Sequence, residues 1–481
     1  MTTVASPIST SPTTDPTAGL DLLAATLRGR LLLPDHPDFL GAAMPWNVAV
    51  PADATAHLAV VEAADAADVA ATVRHAAGHG LTVTVRATGH GAYAVGGPSV
   101  LLRTGALQEL TVDPATRIAR VGAGVKWAQV LEAAAPHGLA GLAGSSPDVG
   151  VVGYLTGGGL GPVARSYGWA SDRVVAFDVV TGDGELRRAT ATENPALFWA
   201  LRGGKGALGI VTAVEFELVE LAELVGGCLF FAAEHAAEVL RAWAAWAPAL
   251  PREVSTSVAL LRLPPMPGVP EPLAGRTTLA VRFADVGGDP ERAQALLAPV
   301  TGVAAPVFGG VGPMPYAAIG MIHADPVDPM PSTETATLLA ELPEAAVETL
   351  LALAGPDADQ PDRPCPQIIV ELRLLGGALA EPGATPSALC HREAAFTLLA
   401  ISLGVPPVVG PAQQHAAALL DALAPWSLGG ASATNLPNFS ATADPAGVAR
   451  MYDAATFARL GSLADSYDPH RVLVAAEPFR G

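Results

Sequence analysis

Three glycine-bearing segments hold the residues best placed to do chemistry. In LTVTVRATGHGAYAVGG, residues 81–97, an alternating apolar run leads into Gly89-His90-Gly91, and the pattern G-x-G-x-x-A is completed at Ala94. A dinucleotide cradle of that kind needs a helix next, because pyrophosphate rests on helix N-terminal amides. Gly-Gly-Pro at 96–98 cannot open a long helix, so the fingerprint fails even though Asp113 lies where a ribose-binding acid is expected. Gly204-Lys205-Gly206-Ala207-Leu208-Gly209 reverses the order, with a helix before it and a strand after. It is not a P-loop either, since Gly206 follows the lysine where Ser or Thr must meet magnesium. The third segment, SSPDVGVVGYLTGGGLG at 145–161, has three consecutive glycines, which suit either an anion held by uncovered amides or a tightly packed turn. Three clusters between residues 86 and 209 favour one extended phosphate-bearing ligand.

Other side chains could act on a substrate. Glu371 and Arg373 alternate with Val370, Leu372 and Leu374, so both point to one face of a strand. A buried Glu beside an Arg keeps its charge and serves as an organiser, or as one half of a structural ion pair. His323, in GMIHADP, has the titration range of a base. Tyr93 and Tyr154 sit within the glycine segments, where they could hydrogen-bond a substrate hydroxyl or simply pack. His75 and His79 are four apart but have no acidic third ligand nearby, so no metal is expected. Cys228, Cys365 and Cys390 are scattered, without a CxxC, which fits a reducing cytoplasm rather than a disulfide framework.

These residues need elements to hold them. From Leu20 to Leu221 short units alternate: DLLAATLRGRL reads as a helix, TAHLAVVEA and LTVTVRA as strands, and ADVAATVRHAAGHG between them as a helix closed by glycine. SVLLRT, IARVGAG, VVAFDVVTG and GIVTAVEFELVEL follow as strands. Beyond Leu221 the units lengthen. CLFFAA, STSVALLRL, TTLAVRFAD, QIIVELRLLGG and AAFTLLAISLG read as strands with helices between them, which suits a second sheet covered by helices on one face. The fold class expected is therefore α+β. MTTVASPISTSPTTDPTAG lacks the basic start and apolar core of a signal peptide, and 1–18 reads as a disordered leader. A net charge of −19 argues against nucleic acid as partner, and no apolar run of membrane length occurs.

Taken in order, the segments resemble the berberine-bridge-enzyme-like, FAD-linked oxidoreductases of the vanillyl-alcohol oxidase and p-cresol methylhydroxylase (PCMH-type) fold. VRATGHGAY resembles the family's Arg-Ser-Gly-Gly-His loop. ARVGAGVKWAQV, VGVVGYLTGGGLGPVARSYGWASD and VVTGDGELRRATATENPALFWALRGGKGALGIVTAVEFEL follow in family order, and FARLGSLADSYDP resembles its closing helix. The resemblance implies an FAD-binding domain of two small α+β subdomains over 19–221. It also implies a substrate domain with an antiparallel sheet covered by helices over 222–435, and a segment 436–481 that returns to the first domain. It implies FAD, with Arg86, Ala87, Thr88, Gly89, His90 and Gly91 wrapping the pyrophosphate. Ser146, Val149, Gly150, Gly153 and Gly157, Gly158 and Gly159 would continue the cradle. Gly209, Ile210 and Val211 would flank the cofactor, and Asn438, with Asn435, would lie near the ring. His90 matches the histidine that bonds covalently to the flavin.

The departures from the family pattern matter as much. Ser146 stands where many relatives carry a second, cysteine anchor, so a single covalent bond is expected. The catalytic base, Glu or Gln, that plant-like members carry about nine residues after the His-Arg pair is replaced here by Ala400, the tyrosine that bacterial members carry two residues before Asn438 by Leu436, and the asparagine of the closing YDPxN by Arg471. Val149, small and beside the expected ring position, favours oxygen as acceptor. The resulting expectation is a cytoplasmic oxidase that takes a hydride from an alcohol, amine or activated C–H of a lipophilic natural-product intermediate. A non-redox cyclase on the same scaffold is the alternative.

Overall fold

Asp65 accepts hydrogen bonds from the amides of Ala67 and Asp68, which starts the helix Ala66–His79, and Gly80 at φ +66° ends it. The helix crosses between strands His57–Glu62 and Thr82–Arg86, which both pair in parallel with Ser99–Arg103, while Arg30–Leu32 closes the sheet antiparallel. An antiparallel five-stranded sheet follows, ordered Leu110–Asp113, Ile118–Gly122, Ile210–Glu217, Val174–Val180, Leu186–Thr190. Trp127, Phe177, Phe198 and Phe216 belong to one core that spans both sheets. In this computed structural model residues 17, 19–50, 57–95, 97–359 and 364–480 are described; apart from Thr17, the expected leader 1–18 lies outside the described residues.

The third sheet has seven antiparallel strands in the order Phe308–Pro315, Glu223–Ala232, Arg276–Asp285, Val254–Leu263, Ile369–Leu374, Phe396–Leu403, Ser332–Leu339. Helices Ala233–Trp246, Pro290–Thr301, Glu344–Ala354 and Val409–Leu423 cover one face through Trp243, Val281, Leu372 and Leu398. Strand alternation sends the intervening residues to the other face. There Ala259 lies beside Ala280 and Glu371, and Ser257 beside Arg282 and Arg373. The α+β class and the helix-covered antiparallel sheet are thus present.

Both edge strands of this sheet escape the periodicity argument. Phe308–Pro315 is built from glycine and proline, residues a sheet accepts at an edge, where one side of the backbone needs no partner. Ser332–Leu339 begins polar and is not among the strands read from the sequence. The helix read over DLLAATLRGRL stops at Thr26, and its second half becomes the strand Arg30–Leu32.

Two returns tie the large sheet to the first lobe. Tyr316–Ile322 packs into the first core and delivers His323 to the boundary. After the helix Ala454–Tyr467, Val472 accepts a hydrogen bond from the Val83 amide at 2.7 Å, placing the returning segment against the strand that leads to His90. Asp468 fixes that turn by accepting from the amides of Val472 and Leu473 at 2.8 and 3.0 Å. Arg471, where the family pattern has asparagine, adopts φ +55°. Asparagine tolerates that left-handed backbone and arginine carries it at some strain.

Candidate functional site

The strand Thr82–Arg86 ends in a loop that lies beside the loop 146–150. A Cβ on Gly150 would stand 3.7 Å from the side chains of Ala87 and Thr88. Gly89 has φ +88°, and a Cβ there would meet Pro45 at 2.8 Å, so the turn requires glycine. Among the described residues, no backbone carbonyl accepts from the amides of Thr88, Gly89, His90 or Gly91. His90 stacks on Trp46 with ring centroids 4.4 Å apart, and its Nδ1 lies 3.0 Å from Thr88 Oγ1. Its buried Nε2 has no partner, and burial pushes the ring down to about 4, so the imidazole is neutral near pH 7. The Ser146 hydroxyl is also buried and unpartnered. Val149 is half-buried in the same loop, where its carbonyl accepts from the Trp127 amide at 3.1 Å.

Several residues expected in the cradle do other work. Arg86 turns its guanidinium away to the carbonyl of Ala43 at 2.7 Å. Asp113 caps its own turn through Ala115 and Thr116, which removes it as a ribose ligand. The Gly157-Gly158-Gly159 run answers to packing. Asn438 fills the place of a Gly157 Cβ, a Cβ on Gly158 would meet Leu389 at 2.9 Å, and one on Gly159 would meet Tyr154 at 2.6 Å. The amides of Gly157 and Gly158 already donate to Leu155, so two of the run's three amides are engaged and packing alone calls for glycine at each position. Gly209 admits Val179 at 2.5 Å, and Ile210 and Val211 are buried in their strand. Asn435 is spent on Leu436 and Phe439. Gly153 alone of the later glycines faces open space. Tyr93 lines a cleft with Arg86, Gly91 and Ile210.

Opposite the cradle, sheet register gathers a charged cluster. Ser257 Oγ and Arg282 Nη1 each donate to Glu371 Oε1 at 2.7 Å, and Arg373 Nε donates to Oε2 at 2.9 Å. His323 Nε2 stands 3.4 Å from Oε1. Burial opposes charge on Glu371, but the two guanidiniums override it and hold the carboxyl well below the usual range. His323 is lowered, by burial first and then by Arg282, so it too is neutral. Glu371 is therefore a positioning group, with both oxygens engaged, and His323 is the titratable group left free to act. His75 and His79 stack on each other, and among the described residues no cluster of metal-ligand type exists.

One acid links the two halves electrostatically. Asp325 is close enough to influence both His90 and Arg373. Arg373 lies 5.5 Å over the Phe439 ring, and Asn438 Nδ2 donates to the Tyr154 carbonyl at 2.8 Å. The buried Tyr154 hydroxyl has no partner. Lys205 projects toward Gly91, with its Nζ 3.6 Å from where a Cβ would be, and burial lowers it to about 8. Sequence reasoning paired Glu371 with Arg373 and named His323 apart from them, but missed Arg282 and Ser257, whose roles arise only from strand pairing.

Residues 57–190 match the FAD binding domain family. Over 202 residues the chain is 34% identical to (R)-6-hydroxynicotine oxidase of Paenarthrobacter nicotinovorans, a match that spans 41% of this chain and 43% of that protein. The chain thus spans less than half the length of the curated relatives it matches. The crystal structure of 6-hydroxy-D-nicotine oxidase from Arthrobacter nicotinovorans superposes with a TM-score of 0.78 at 25% identity, covering 94% of this chain and 98% of that one. A berberine-bridge-enzyme-like protein of Physcomitrella patens superposes with a TM-score of 0.78 at 18% identity over 94% of this chain and 97% of its own, a likeness of fold. Among the described residues no helix is long and apolar enough to cross a membrane.

Proposed function

From the premise that this chain carries an FAD binding domain on a berberine-bridge-enzyme-like scaffold, we propose a covalent flavoprotein oxidase acting on a lipophilic small molecule. The observation that carries the reading is the neutral His90 ring, with one buried nitrogen unpartnered, set in a loop of free amides. Those atoms fit FAD. The amides of Thr88 to Gly91 suit a pyrophosphate, and His90 is placed to hold the flavin through its only covalent bond, because Ser146 has no thiol to form a second.

Bound FAD supplies the hydride acceptor. On the facing sheet, His323 takes the proton of a substrate hydroxyl or ammonium at Nδ1, while Glu371 faces Nε2 and steadies the resulting imidazolium. Arg282 and Arg373 keep Glu371 ionised for that task. The apolar walls around them exclude water and favour a lipophilic substrate of specialised metabolism. The small Val149 supports oxygen as the final acceptor.

His90→Ala is expected to leave no yellow peptide after acid precipitation, whereas the wild-type chain keeps its colour on the peptide containing His90. Wild-type colour found in the supernatant would overturn the attachment. Anaerobic mixing with candidate intermediates is expected to bleach the flavin, with oxygen uptake on re-aeration. Product formed without bleaching would favour ring closure without oxidation.

A further inference from the structure

The charged cluster leaves one guanidinium donor unused. Among the described residues Glu371 is the one carboxylate hydrogen-bonded to Arg282 and Arg373, and its oxygens accept from both and from Ser257. Arg165 borders the same cleft, its guanidinium spent on the carbonyls of Val254, Leu250 and Leu375 with no acid. Asp325 influences Arg373, yet among the described residues it forms no ion pair. The Arg282 Nε donor is buried without a hydrogen bond in a side chain only 5% exposed. A self-contained structural ion triad would leave no such donors, since each unmade bond to a buried charged group is costly.

Arg282, Arg373, Arg165 and His323 line one open cleft, with Leu160, Pro162, Ile322 and Leu379 as apolar walls. We propose that the cleft takes an amphipathic acid. The carboxylate of the ligand meets the free Arg282 Nε, leaving His323 Nδ1 to the reacting hydroxyl or ammonium, and its apolar body lies along the leucine and isoleucine walls. This rests on the reading of the cleft as the substrate site, and it adds the substrate's class: a carboxylate-bearing lipophile rather than a neutral one.

The test uses the flavin-loaded full-length protein with 4-phenylbutyrate, 4-phenylbutyramide and inorganic phosphate as probes. The acid is expected to raise the melting temperature saturably, and the amide and phosphate are expected to leave it unchanged. Arg282→Gln is expected to weaken the acid about tenfold or more, and Arg282→Lys to retain part of the affinity. Equal shifts from acid and amide, or a phosphate response matching the acid, would overturn the proposal. So would unchanged acid affinity in Arg282→Gln. If that variant loses its fold, the three-probe comparison on the wild-type chain still decides. A chain that keeps its yellow His90 peptide but ignores the acid refutes this inference alone; absence of the yellow peptide refutes the covalent attachment instead.

Discussion

The cradle and the charged cluster are built from opposite materials. Around His90 the working groups are backbone amides, exposed by a left-handed glycine and one loop pressed against another. On the sheet they are side chains from Val254–Leu263, Arg276–Asp285 and Ile369–Leu374, with His323 from the loop after Tyr316–Ile322. A site made of backbone tolerates many side chains and almost no change in chain direction. A site made of side chains tolerates the reverse.

The largest effect expected from that contrast is on the sheet. Glu371→Ala leaves Arg282 and Arg373 buried side by side without a counter-charge, and should cost about 3–5 kcal/mol in chemical denaturation. A loss near zero would mean that water or another acid already balances the arginines. The cradle lobe has a smaller vulnerability of its own, to protons. His57 is buried, its Nδ1 2.8 Å from Ser99 Oγ, and burial followed by the Arg86 charge pushes it down from 6.5 to about 4. The unfolded chain therefore takes up the proton first, so stability falls as pH drops from about 6.5 to 4, by roughly 3 kcal/mol. Denaturation midpoints against pH check this, and His57→Asn should flatten that part of the curve.

Gly159→Ala tests whether the triple glycine is packing. With φ +77° and Tyr154 at 2.6 Å, the substitution should cost about 2 kcal/mol whether or not flavin is present. A penalty seen only in the flavin-loaded protein would return that glycine to the cradle. The smallest effect is expected at Lys205, which holds φ +56°. Lys205→Gly should gain about 0.5 kcal/mol by relieving the left-handed backbone, less the entropy that glycine adds to the unfolded chain. Thermal unfolding read on apo and loaded protein gives the sign in each state.

The same contrast decides what was legible in the sequence. The loop around His90 could be read because backbone sites leave contiguous marks: Gly89 and Gly91 bracket the histidine, and the absence of a following helix separates this loop from a dinucleotide fold. The run 157–159 carried the same mark for a different cause, room for Tyr154, Leu389 and Asn438, and nothing in the glycines themselves tells the two causes apart. On the sheet, Glu371 and Arg373 could be paired because they lie two apart on one strand. Arg282 reaches them only through a register that sets it beside Ser257, and Ser257 beside Arg373. That information belongs to the pairing of distant strands. The edge strands were hidden by composition, glycine and proline in one and a polar start in the other.

The hydrogen bond from Val83 to Val472 has a bearing on the order of events during synthesis. The lobe whose helices start at Leu20 is incomplete until Val472 and Phe479, which join its core, have left the ribosome. By then the seven-stranded sheet, whose strands all lie between Glu223 and Leu403, has been made in full. The sheet is thus free to fold first and serve as a wall while the earlier residues wait for their last partners. This order makes the lobe that begins the fold the last to finish it.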